Sequence, residues 1–134
     1  SNDFMRMKEF RGVIIEESLR DKTVLRSVKI VSTRIERVTL RHHTPSLKQW
    51  TLHNVEIDEK RASEVARKLG ESLEDKWYAD FDNEREHYIV FPHRIFKIDM
   101  RDQWQYDEAR DYGISLGIPK HQVDFHPKVR KWER

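Results

Sequence analysis

Apolar and polar positions alternate with different periods along this chain, and each change of period marks an element. Phe10 to Glu16 is rich in β-branched residues and precedes Ser18-Leu19-Arg20-Asp21-Lys22, a stretch of turn composition. A strand followed by a bend is expected there. From Ser27 to Val38 the apolar positions run Val28, Ile30 and then Val31, Thr33, Ile35. This change of parity predicts a second strand with a bulge or twist in its middle. Trp50 to Ile57 makes a third strand, with Trp50 and Leu52 on one face and Val55 and Ile57 on the other, so either a bulge intervenes or both faces are covered. Between these strands Pro45 holds Thr44 extended and marks a loop.

The period then becomes helical. Asp58 is placed to cap a helix in which Ala62, Val65, Ala66, Leu69 and Leu73 form one stripe. Trp77 to Asp82 alternates again, Asp82-Asn83-Glu84-Arg85 supplies turn chemistry, and His87 to Phe91 answers as a second strand of a hairpin. Arg94 to Asp99 follows through a tight turn at Pro92-His93. Tyr106, Ala109, Tyr112 and Leu116 mark a second helix near Tyr106 to Leu116, stopped by Gly117 before Ile118-Pro119 and an extended Gln122 to Phe125. The order βββ-α-βββ-α lacks βαβ alternation. It predicts an α+β fold, a mostly antiparallel sheet of about five to six strands with two helices on one of its faces.

Length and composition narrow this picture. At 134 residues the chain suits one core. We read residues 1–125 as a single α+β domain and 126–134, HPKVRKWER, as a basic tail of net charge +3. Charged residues make up 37% of the chain, yet 26 basic residues against 24 acidic ones leave a net charge of only +2, and aromatic residues recur throughout. A mixed, solvated surface explains this better than disorder. Without cysteine there is no disulfide or thiolate metal site, which suits a reducing compartment, and the cytoplasm is expected. Apolar runs such as Gly12-Val13-Ile14-Ile15 are far too short for a membrane helix. The amino end has no signal-like apolar run, and Ser1-Asn2 reads as a cloning remnant ahead of Met5 or Met7.

The segments KQWTLHNVEI, WYADF, HYIVFPHRIFKID and YGISLGIPKHQVDF together resemble a family of small prokaryotic proteins with no assigned function. The likeness covers most of the chain. It implies no reaction, cofactor or catalytic residue, so function has to be argued from the residues.

Gly12, Gly70, Gly113 and Gly117 form neither a GxGxxG nor a GxxxxGK[ST] loop, and no serine sits in a GxSxG elbow. No cofactor is expected. Among the histidines, His121-x-x-Asp124-x-His126 is the nearest approach to a metal-ligand cluster, although surface polar residues on an extended end read the same way. The hairpin offers more. Alternation sets Tyr78, Asp80 and Asp82 on the face opposite Trp77 and Phe81, and a turn over Asp82 to Glu86 makes Asp80 a cross-strand neighbour of His87. In an enzyme, Asp80 and His87 would exchange a proton, Tyr78 would orient a small polar substrate, and Arg94 or His93 would neutralise developing charge. A slip of one residue in register removes this pair, and an ordinary hairpin surface accounts for the same pattern.

Arg34, Arg37 and Arg41, continued by His42 and His43, form one basic group, and Lys128, Arg130 and Lys131 with Trp132 form another. Such groups can track phosphates, though the balanced total charge also fits a solvated face. Trp50, Trp77, Trp104 and Tyr112 are assigned to packing. With every strong catalytic motif missing, the sequence favours a non-catalytic binding or regulatory module over an enzyme. Nucleic-acid binding through the basic groups is the alternative, and the hairpin Asp/His pair is the further one. A protein partner or a homodimer is compatible with this reading, a membrane is not.

Overall fold

Residues 9–126 are described by a computed structural model of the chain. The strands are β1 (Phe10–Ile15), β2 (Lys29–Arg37), β3 (Gln49–Ile57), β4 (Ala79–Asp82), β5 (Glu86–Phe91) and β6 (Arg94–Asp99). The helices are α1 (Ala62–Ser72), between β3 and β4, and α2 (Gln103–Ser115), after β6. The fold is α+β in the expected order, with short 3-10 turns between the elements. All six strands join one antiparallel sheet in the order β2-β3-β1-β4-β5-β6, which makes β2 and β6 its edges. None of the helices among the described residues is long and apolar enough to cross a membrane.

The two helices cover opposite faces of the sheet, and not one face as the element order suggested. Phe10, Ile14, Val55, Ile57, Phe81 and Val90 form a core with Val65, Ala66 and Leu69 of α1. Ile89, Phe91 and Ile98 form a second core with Tyr106 and Ala109 of α2 and with Ile118, Val123 and Phe125 beyond it. The cause is visible in β5, where His87 to Phe91 are all buried, so successive side chains enter the two cores in turn.

Local chemistry sets the element ends. Asp58 accepts from the Lys60 N–H and caps a 3-10 turn that leads into α1. Asp102, which the apolar stripe alone did not reveal, caps α2 by accepting from the Trp104 and Gln105 N–H groups. Gly117, at φ 88°, ends α2: its own N–H donates to the Ile114 carbonyl and the Ile118 N–H to the Gly113 carbonyl. Those two bonds are a Schellman stop, which needs a left-handed residue where only glycine fits without strain. Trp104 is a correction to the packing assignment. It is 71% exposed, because the buried stripe of α2 runs through Tyr106, Ala109 and Gly113 and two residues before Tyr106 is the far side of the helix.

The parity change in β2 is a bulge, since its register against β3 slips between Ile30 and Ser32. β3 pairs with β1 without interruption. Its own change of parity therefore reflects cover on both faces, with Leu52 on one and His53, Val55 and Ile57 on the other, all buried.

Candidate functional site at the hairpin

The hairpin of β4 and β5 is closed by Asn83, whose side-chain oxygen accepts from the Arg85 and Glu86 N–H groups at 2.8 and 2.7 Å. This turn sets the register Asp82 opposite His87 and Asp80 opposite Ile89. Asp80 is thus one diagonal step from His87, not directly across. Both still project from the α2 side of the sheet, because alternation separates Asp80 and Asp82 from Phe81 on the first face. His87 Nε2 lies 2.7 Å from Asp80 Oδ2, and its Nδ1 lies 3.0 Å from the Tyr106 hydroxyl supplied by α2. A neutral ring donates from Nε2 to the carboxylate and accepts the phenolic proton at Nδ1; a protonated ring donates both ways.

This chain of groups is deeply set. His87 and Tyr106 are each 2% exposed, and the rings of Phe125 and His126 pack against them. Tyr78 is half-buried and contributes its ring to the same core, against Phe91 and Phe125. Arg94 and His93 stand at the other end of β5, beyond Phe91. That is roughly 13 Å from His87 at the rise of a strand. Arg94 stacks over Phe96 and Tyr112 there, so the charge-neutralising role sketched for it and for His93 has no reach.

Donor atoms of Asp80, Asp82 and His87 lie within 4.8 Å of one another, a mixed nitrogen and oxygen set that could hold a metal ion. To bind through Nε2, His87 would exchange its hydrogen bond to Asp80 for the ion, with Tyr106 still fixing the other ring nitrogen. His121, Asp124 and His126 are not brought together in this way. His121 sits in an exposed 3-10 turn beside His43, with ring centroids 5.4 Å apart, whereas His126 packs on Tyr106.

The basic residues do not share one face of the sheet, since Arg34 stands opposite Leu52 and Arg37 opposite Gln49, on alternate sides of β2. Arg34 lies exposed on β2 and pairs with Glu36 at 3.8 Å; Arg37 and Arg41 are exposed at the end of β2 and in the following turn. Glu36 also bonds His42 Nε2 at 2.7 Å. Lys128, Arg130, Lys131 and Trp132 lie outside the described residues.

Two further carboxylate–imidazole–hydroxyl chains escaped the sequence reading because their members come from separate strands and turns. His53 lies between Glu16 at 3.0 Å and Thr33 at 2.7 Å, and His42 between Glu36 and Thr39. Beside the first, burial disfavours the charge on Glu17, but the Thr51 N–H and hydroxyl outweigh it and hold this carboxyl below the ordinary range. An open depression of about 500 Å³ lies near the hairpin turn, lined by Glu84, Arg85, Glu86, Asp99, Met100 and Arg101. Hydrogen bonds from the Arg101 side chain and backbone pull Asp99 down to about 2 there. Neither Asp80 nor His87 lines it. Compared with family models, with curated proteins and with solved structures, the chain has no match in any of the three.

Proposed function

We propose that this chain is a non-catalytic binding module that takes a protein partner by strand addition along β2. One observation carries the reading: an edge strand nine residues long bears Ile30, Val31 and Ile35 at 42, 56 and 66% exposure. Uncovered edges with apolar side chains are templates for a further strand, because their outward N–H and C=O groups and side-chain rows remain available to another chain. The opposite edge differs. β6 is shorter, has α2 packed beside it, and its Lys97 is paired with Glu86 at 3.3 Å.

The hairpin supports the same view by what it does not offer. His87 is tied at both ring nitrogens and almost fully buried, so a substrate has no open approach to it among the described residues. Arg34 and Arg37 project from opposite faces of β2, which makes phosphate tracking the weaker alternative. We assign the module to the cytoplasm on the ground that a cysteine-free chain suits a reducing compartment.

The test is a photo-crosslinking side chain placed at Ile35 in one variant and at Ile114, an exposed apolar position on α2, in another. Irradiation under native conditions is expected to give protein adducts from position 35 and not from position 114. No adduct at 35, or equal labelling at both positions, overturns the reading.

A further inference from the structure

We propose that the strand received by β2 is the β2 of a second copy of this chain, paired antiparallel about a two-fold axis at Thr33. This rests on the strand-addition reading and names its partner.

The inference comes from how the bulge places side chains along the edge. Thr33 stands opposite His53 of β3, and ladder positions can be counted outward from it. Ser32 and Arg34 are each one position away. Because Val31 is bulged out of register, Ile30 is two positions from Thr33 on one side, matching Ile35 on the other, while Lys29 and Glu36 are each three positions away. A half-turn about Thr33 therefore sets Ile30 against Ile35 of the second copy, Lys29 against its Glu36, and Ser32 against its Arg34. Every pair also falls on a common face, since Ile30, Thr33 and Ile35 project from the α1 side and Lys29, Ser32, Arg34 and Glu36 from the other. Each apolar pair and each ion pair occurs twice, as an isologous interface requires.

Without the bulge Val31 would take the place opposite Ile35, but Ile30 would stand three positions from Thr33 and meet Glu36, and Lys29 would meet Arg37, like charges face to face. Bulges and charges usually protect an edge from pairing. Here they make the strand complementary to itself.

Neighbouring registers are poorer. An axis at Arg34 sets that residue against its own copy, and an axis at Ser32 sets Arg34 against Lys29. Like charges directly opposite are destabilising in both cases. An axis at Ile35 leaves Ile30 and Val31 beyond the end of the partner strand.

Sedimentation equilibrium of the full chain is the primary test. The expected result is a mass that rises with concentration from the 16.3 kDa monomer towards the dimer. Ile35→Lys should raise the dissociation constant about tenfold or more while circular dichroism shows an unchanged fold, since the site is two-thirds exposed in the monomer. Lys29→Glu and Glu36→Lys should each weaken the dimer, and the double variant should recover most of the loss.

The absence of cysteine permits a register test with a single introduced thiol. Facing Cα atoms of an antiparallel pair are roughly 4.5 to 5.5 Å apart, inside the range a disulfide spans. Oxidation should link Thr33→Cys to its copy and leave Ile35→Cys unlinked. A chain that stays monomeric at millimolar concentration, or a dimer indifferent to Ile35→Lys, overturns self-pairing. In that event the adducts formed at position 35 decide the broader reading by themselves: a foreign protein there preserves strand addition, and none removes it.

Discussion

His87 shows at the level of one residue how a buried polar chain is assembled from two strands and a helix. Its ring bridges Asp80 and Tyr106 in a setting that excludes water, so each hydrogen bond matters more to stability than to any exposed reaction. Removing the phenolic oxygen leaves Nδ1 buried without that partner, whereas an amide at position 80 still presents an oxygen to the ring. Tyr106→Phe is therefore expected to cost about 1–3 kcal/mol, and Asp80→Asn less than about 1 kcal/mol. Urea denaturation at neutral pH measures both, and a larger loss for Asp80→Asn would show that the carboxylate dominates. The pairing of Asp80 with His87 was legible from alternation, because both lie on one face and the turn between them is short. Tyr106 was not. It arrives from a helix nineteen residues on, and nothing local marks the contact.

At the scale of elements, Gly12 explains how β1 sits in the middle of the sheet. A Cβ there would run into the Asp80 carbonyl oxygen and the Phe81 Cβ on β4, so the two strands meet only because this position is bare. Gly70 in α1 is different, since a Cβ would find ordinary contacts at 3.6 Å and beyond with Val90, Phe91 and His93. Gly12→Ala is expected to destabilise by about 1–3 kcal/mol through overpacking. Gly70→Ala should stabilise by about 0.4–1 kcal/mol by restricting the unfolded chain. Thermal unfolding of both variants checks this, and a neutral Gly12→Ala would mean the strands can part without cost. The parity change in β2 was readable in the sequence, but the same signal in β3 has another cause, and only the ladder identified the one in β2 as a bulge. Its consequence for self-pairing was equally hidden, since ladder positions exist only once β3 supplies the register.

For the whole molecule, the two cores share one sheet, and β5 contributes Val90 to one core and Phe91 to the other. Loss of either core leaves β5 half uncovered, so the two should unfold together. Leu69→Ala and Phe91→Ala are each expected to cost about 2–5 kcal/mol and to lower a single transition. Coincident fluorescence and far-ultraviolet circular dichroism curves would agree with this; two separated transitions would show independent halves. By itself the sequence determined the strands and the two main helices, their order, the hairpin turn and the α+β class, because periodicity, caps and turn residues act over a few neighbouring positions. Only the tertiary structure decided that β1 lies between β3 and β4 and that the helices cover opposite faces. It also decided that Tyr106 closes on His87 and that β2 is an edge of the sheet among the described residues. Those outcomes depend on which distant surfaces bury one another, and burial of apolar area is non-directional, so no local pattern encodes it.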